Sequence, residues 1–465
     1  MSELLVGDAL VATCDDSRRV IDRGAVAIRD GRIVAVGPTD ELVRAHPDMP
    51  RLRAHGSMVC PGFVNAHAHA AMSVLRGTIE EWQGNAVYNY FVPISYATSD
   101  SERGVLALLA CVEAIRSGTT ALVDMARFMT GYSDAIASSG LRLWLDELCA
   151  DIDTRRIRKG DFSVDPAFGN GCLERTQALI EKVAGRYSGR VRVQLAPHAT
   201  DNCSPAMLRS LKDLAERHGL TRHVHLAQSA DEVKAVKAAH GLTPAGYLDR
   251  EGWLDPGLVG AHWTHCSEAD IDLLAERGVR MTHCPANSSR TGPHRVLIGR
   301  IRDAGVKIAF GTDDKTCDMF HAMKIGQIVH RGGRGRASEG GVEPRPQAIL
   351  DAVTRDAAAS VGAADEIGSI EAGKRADLAF IDLGMACLRP VIHPVGNLVH
   401  YGHPGVVHSV MVDGEFLMRD RTIVSLDEPA LMQEAQAVTR RVWERMLADN
   451  PDIQPPAEGL HWYDV

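Results

Sequence analysis

The feature that most constrains this chain is a repeated alternation in its middle. Between about residues 58 and 362, short apolar runs rich in β-branched residues alternate with stretches of helical period. Eight runs read as strands: 59–66, 120–125, 141–145, 191–196, 223–227, 258–261, 279–283 and 307–311. Helical patterns fall between most of them, as at 101–117, 173–187, 205–218 and 268–277. Strands and helices in that order predict an α/β fold, a (β/α)₈ TIM barrel, with an open doubly wound sheet as the alternative. The polar residues favour the barrel. They gather just past the C-terminal ends of the strands, where a barrel places its active site.

The first of these runs ends in Pro61-Gly62-Phe63-Val64-Asn65-Ala66-His67-Ala68-His69. Alternate residues of a strand face the same way, so His67 and His69 can reach one ion. A lone His-x-His arises often by chance, so the other strand ends decide. They supply His198, then His225 and Gln228, then His262 and His265, then His283 and Asn287, and finally Asp313 and Asp314. In a barrel these side chains converge on one mouth. Imidazoles with a carboxylate suit a divalent ion of the zinc, iron or cobalt type, which brings the pKa of a bound water towards neutrality. Buried imidazoles also simply satisfy backbone carbonyls, so His265 and His283 read equally well as supporting groups. Asp314 reads either as orienting a histidine or as facing solvent.

Composition narrows the class. With 45% hydrophobic and 24% charged residues, the chain is an ordinary soluble globular protein. A net charge of −9 argues against a nucleic-acid partner. The longest apolar run, 105–112, is too short to span a bilayer. No basic stretch followed by an apolar one opens the sequence, and the ten cysteines form no C-x-x-C pair. A cytoplasmic protein with reduced thiols is expected. Residues 1–57 and 365–425 read as short strands, with hairpin signals at Asp30-Gly31 and Asp413-Gly414. They predict a small β-sandwich built from both ends of the chain, with the barrel at 58–364 inserted and a helix and tail at 426–465. Two segments interrupt the pattern. Residues 77–99 hold Trp82, Tyr88, Tyr90 and Phe91 in a chain only 5% aromatic, and read as local packing or as the wall of an apolar pocket. The Arg/Gly-rich stretch 331–341 reads as a flexible loop and not as an RNA-binding repeat.

Together the motifs resemble the amidohydrolase superfamily, in the branch of cytosine and guanine deaminases and triazine hydrolases. The resemblance runs through the motif ending at His69, Leu195-Ala196-Pro197-His198-Ala199, His225-Leu226-Ala227-Gln228, Ala261-His262, His283-Cys284-Pro285-Ala286-Asn287, Gly311-Thr312-Asp313 and Gly368-Ser369-Ile370-Glu371. It implies that His67, His69, His225 and Asp313 hold one metal ion: zinc, cobalt, iron or manganese. It implies that His262 and Asp313 are catalytic and that His198 and Asn287 contact a small-molecule substrate, to which Gln228 and Trp82 are added. Binuclear relatives carry a lysine at the end of strand four; here that position reads Pro197-His198-Ala199, so one ion is expected. A homo-oligomer, dimer or tetramer, is also implied.

One residue departs from the deaminase pattern. Three positions after the strand-five histidine those enzymes usually carry a glutamate that protonates the substrate ring, and here the residue is Gln228. A carboxamide hydrogen-bonds but does not exchange a proton near pH 7. The expectation is therefore attack by metal-generated hydroxide on a carbonyl carbon, cleaving an amide, urea or thiocarbamate. This resembles phenylurea hydrolases and the thiocarbamate hydrolase acting on molinate. The substrate is expected to be neutral and apolar, since no arginine clamp is evident at the strand ends. The alternatives are an aminohydrolase or chlorohydrolase of an aromatic N-heterocycle, and a catalytically inactive binding protein.

Overall fold

Asp30 and Gly31 both adopt left-handed backbone, φ 49° and 74°, and turn Val20–Arg29 into Arg32–Pro38. Asp413 and Gly414, φ 48° and 74°, do the same between Val407–Val412 and Glu415–Arg419. In this computed structural model, which describes residues 3–80, 85–290, 295–332, 342–456 and 459–463, both hairpins belong to one nine-stranded sheet. Glu3–Ala12 is its branch point: residues Leu5 to Gly7 pair with Arg51–Arg53, and Leu10 and Val11 pair with Ser57–Pro61. Val6, Val26 and Ile28 from the start of the chain share a buried cluster with Phe380 and Met411 from its end. What the sequence suggests as a small sandwich is one branched sheet around a common core.

The second sheet has eight parallel strands in chain order: Phe63–Ala68, Thr119–Ala126, Arg142–Cys149, Val191–Pro197, Arg222–Leu226, Leu258–His262, Arg280–His283 and Ile308–Phe310. Nearly every residue in them is buried, as expected where helices cover one face and barrel filling the other. The run 59–66 divides in two. Ser57–Pro61 pairs antiparallel with Leu378–Asp382 in the end sheet, and Phe63–Ala68 enters the barrel. Gly62 lies between them against Thr120, where a Cβ would come within 2.0 Å of the threonine methyl.

The eighth strand meets the first through a short seam. The amide hydrogens of Thr312 and Asp313 both donate to the His67 carbonyl, each at 3.0 Å, and that of His69 donates to the Asp313 carbonyl at 3.1 Å. Asn65 adds a side-chain rung, accepting from the Thr312 amide at 3.1 Å and donating to its hydroxyl at 2.8 Å. Gly311 is needed for the approach, since a Cβ there would sit 2.6 Å from the His67 carbonyl oxygen.

The helix Glu428–Asp449 packs back onto the segment that follows the first barrel strand. Trp443 Nε1 donates to the Val74 carbonyl at 2.9 Å, and Arg445 grips Glu102 at 2.8 and 3.0 Å. Tyr90 joins Trp443, while the turn Val87–Phe91 forms part of a cavity wall. Trp82 and most of the Arg/Gly-rich stretch, 333–341, lie outside the described residues.

Arg142, at the start of the third barrel strand, joins the two units. It is buried and reaches Asp377 at 2.9 and 3.1 Å and Asp413 at 2.7 Å. Truncating one partner of a buried ion pair strands the others without compensation. Arg142→Ala should therefore lose about 3–5 kcal/mol of stability in urea unfolding. A loss below about 1 kcal/mol, the scale of a surface pair, would show that the two units are held by apolar contact alone.

Candidate active site

At the barrel's C-terminal mouth three imidazoles meet. Nitrogens of His67, His69 and His225 lie within 4.8 Å of one another, as do ligating atoms of His67, His262 and Asp313. His69 Nδ1 donates to the Met125 carbonyl at 2.6 Å and His225 Nδ1 to the His198 carbonyl at 2.6 Å. Those bonds fix both tautomers and leave each Nε2 as a free donor atom, the two facing each other at 3.3 Å. His67 Nδ1 is engaged by His223 Nε2 at 3.2 Å, and its Nε2 is buried with no hydrogen-bond partner. Asp313 Oδ1 stands 3.5 Å from His69 Nε2 and 3.9 Å from His67 Nε2. Its Oδ2 takes the Asn287 amide and lies 3.7 Å from His262 Nδ1. An orphaned buried nitrogen, two more free imidazole nitrogens and a carboxylate oxygen fit one divalent ion.

The protonation states agree with that use. Burial, and then the neighbouring imidazoles, hold His67 and His225 well below the usual histidine range. Both are neutral at pH 7, the form that ligates a metal. Burial alone would raise the Asp313 carboxyl; His262, His69 and the Asn287 amide outweigh it and keep Asp313 below the ordinary carboxylate value. The backbone is strained at the same rim. Ala227, His262 and Asp313 take φ values of 48°, 79° and 67°, which cost a non-glycine residue roughly 1–3 kcal/mol each. The folded barrel holds them there and so aims their side chains.

The structure brings most of the sequence candidates together around one cavity. His69, His198, His225, Gln228, His262, Asn287, Asp313 and Asp314 line a space of about 950 Å³, counted out to its open mouth. Asp314 pairs with Lys315 at 2.7 Å and does not reach a histidine, and burial with the adjacent Asp313 raises its carboxyl. His283 turns away, bonding His330 at 2.8 Å and Ser288 at 3.0 Å. His265 does not line the cavity; its amide ties to the Ala227 carbonyl at 2.9 Å.

Other groups carried little sequence signal. His223 alternates with His225 on the fifth strand, so period two was a clue that it lies one layer deeper, between His67 and Asp146 at 3.4 Å. Behind His198 runs a relay that joins distant segments: Asn202 Nδ2 donates to His198 Nδ1 at 2.6 Å and to the Tyr88 hydroxyl at 3.1 Å, and Tyr88 donates to Asp201 at 2.9 Å. Arg127 also lines the cavity, just past the second strand, against the expectation that no arginine stands at the strand ends.

A parallel eight-stranded barrel with a His/Asp cage at its C-terminal mouth defines a metal-dependent hydrolase fold of the amidohydrolase type. The chain belongs to the amidohydrolase family, whose sequence pattern matches residues 58–417. A short second match, 24–48, is to the imidazolonepropionase-like composite domain of bacteria. Among curated relatives, a 5-methylthioadenosine/S-adenosylhomocysteine deaminase of Syntrophobacter fumaroxidans is 30% identical over 95% of this chain and 98% of its own. A 5'-deoxyadenosine deaminase of Methanosarcina mazei is 29% identical over 96% of this chain and 100% of its own. Among solved structures, an adenosine deaminase from Xanthomonas campestris with bound zinc superposes with a TM-score of 0.85 at 26% identity, over 95% of this chain and 99% of that one. An atrazine chlorohydrolase from Arthrobacter aurescens with zinc shares the fold, with a TM-score of 0.83 at 21% identity over 94% of this chain and 100% of that one. These names fit the heterocycle alternative better than the carbonyl reading preferred from sequence.

His223 gives a test of how the cage is held. Removing a group that orients a metal ligand typically costs about 10–100-fold in affinity. His223→Phe should weaken metal binding by that factor in competition with a chromogenic chelator. Unchanged affinity would mean that the seam alone orients His67.

Proposed function

We propose that this chain is a metal-dependent aminohydrolase that removes an exocyclic amine from an aromatic N-heterocycle. His67, His69, His225 and Asp313 hold the ion in this reading, and Asp313 and His262 are the catalytic pair. The observation that carries it is full-length similarity to relatives named as deaminases, reaching 30% identity over 95% of the chain. The cavity supports it: a largely apolar slot with a few convergent polar groups is the usual shape of a small-molecule site.

A divalent ion in this cage supplies a nucleophile at neutral pH by lowering the pKa of water. The two oxygens of Asp313 divide the remaining work. Oδ1 faces the imidazole nitrogens, while Oδ2 faces His262 and Asn287. Oδ2 is placed to take the proton of the attacking water and deliver it to the departing amine. His262 hydrogen-bonds the oxygen that forms at the attacked carbon. Gln228 donates a neutral hydrogen bond to the ring, and His198 and Asn287 position it.

A second reading is kept because Gln228 specifically favours it. A carboxamide does not protonate a ring nitrogen, whereas an amide, urea or thiocarbamate carbonyl needs only polarisation. A panel of purine and guanine-type amines, a phenylurea, a thiocarbamate and a chlorotriazine separates the two. Turnover of an amino-heterocycle with ammonia release is expected; carbonyl cleavage with no ammonia from any heterocycle would overturn the first reading in favour of the second. On either reading Asp313→Asn should lower kcat by about 10³-fold, the middle of the usual range for losing a positioned acid–base group. Substantial residual activity in variant protein with its metal restored would exclude Asp313 as the proton carrier.

A further inference from the structure

Arg127 stands out from the arginines stacked nearby on Phe128 and Tyr96. Arg103 pairs with Asp100 at 2.6 Å, Arg155 with Asp153 at 2.7 Å and Arg175 with Glu147 at 2.7 Å. Among the described residues Arg127 has no carboxylate partner, yet its side chain borders the cavity and the residue is only 7% exposed. Its Nη2 is fully buried without a hydrogen-bond partner. A guanidinium stays charged, and burying a charge without a partner is costly unless a ligand supplies one.

A second donor faces the same space. The Ala199 amide hydrogen bonds Asn202 Oδ1 at 3.2 Å, which fixes the orientation of that side chain. Its Nδ2 therefore donates to His198 Nδ1 at 2.6 Å, so the His198 proton sits on Nε2. Burial, and then the Arg127 charge, keep this imidazole neutral. The other cations of the cavity stand together at Asp314: Lys315 pairs with it at 2.7 Å, and Arg290, whose Nη1 is also buried without a hydrogen-bond partner, lowers the same carboxyl by its charge. The rest of the lining is largely apolar, with Met72, Val87, Phe91, Val92 and Leu148.

We infer that the cavity takes a substrate with a flat apolar body and one carboxylate, received by the Arg127 guanidinium with the His198 Nε2–H beside it. The Arg127 guanidinium, on the His198 side of the cavity and without an acidic neighbour of the kind Arg290 has in Asp314, matches one carboxylate in charge and in geometry. This rests on the proposal that the cavity is the active site. It also replaces the neutral substrate expected from sequence.

The probes are benzoate and its neutral counterpart benzamide, titrated calorimetrically into the purified holoenzyme. Benzoate should bind at least about tenfold more tightly, or about 1.4 kcal/mol. Arg127→Met should abolish that preference by weakening benzoate far more than benzamide, and Arg127→Lys should keep part of it. Benzoate held by the metal or by Arg290 would keep its preference in Arg127→Met, which overturns the inference, as does equal binding of the two probes to the wild type. Because no protein partner is lost, Arg127→Met should melt at or above the wild-type Tm; a Tm several degrees lower marks a structural arginine and also overturns it. Turnover of a heterocycle without an Arg127-dependent preference removes this inference alone. The preference without turnover of any heterocycle removes the aminohydrolase reading alone.

Discussion

The His67 carbonyl accepts two amide hydrogens, from Thr312 and Asp313, and the site depends on that contact. It closes the barrel between its last strand and its first. The residues making the seam are also the residues of the cage: His67 and His69 on one side, Asp313 on the other. The register of closure therefore sets the spacing of three candidate ligands. A slip of one residue would turn His67 and His69 to the opposite face. Gly311 permits the approach, and Asn65 locks it to Thr312 through both ends of its amide. Fold closure and site assembly are one event in this molecule.

Electrostatics follows from the same crowding. Four imidazoles pack around His67, with ring centroids of His69, His223, His225 and His262 4.9 to 5.2 Å away. Protonating His67, His223, His225 or His262 in that buried space is opposed by desolvation and by neighbouring imidazoles. These four are thus kept neutral and electron-rich, which suits a cation far better than a set of separate solvated histidines. Asp313 is the exception, since the neighbouring imidazoles and the Asn287 amide favour its charged form.

The strand ends were legible in the sequence because chemistry there repeats at a period the fold imposes. His67, His69, His225, His262, Asn287 and Asp313 all arrive at one cavity or cage as their positions suggested. The less legible parts share a physical cause: they depend on which way a side chain turns or on contacts far apart in sequence. His283 ends its strand as His262 does, but finds His330, 47 residues on, and turns outward. Tyr88 and Asn202 are joined across 114 residues. The run 59–66 looks continuous because both halves are buried strands, and only the close contact of Gly62 with Thr120 separates them. Arg127 was masked by its surroundings, since a single arginine after a strand is ordinary until its partners are counted.

On the proposed function, Gln228 is the residue on which the chemistry turns. The nearest carboxylate along the chain, Glu232, does not stand in for a ring-side acid. It is buried away from the cavity lining, accepts the amides of Ala227 at 3.2 Å and Gln228 at 2.8 Å, and is pushed to about 8 by burial and then by Asp201. Its work is to hold the left-handed turn at Ala227 that sends Gln228 into the cavity. Of the other carboxylates in the lining, Asp314 is tied to Lys315, and Glu80 accepts the Gly77 amide at 3.0 Å. On the proposed reading, then, activation at the ring rests on a neutral hydrogen bond from Gln228. That is enough for a carbon already made electrophilic by its ring or its carbonyl, and not for an electron-rich ring that must first be fully protonated. The two readings of the site therefore converge on one requirement, a substrate that is electrophilic before it binds.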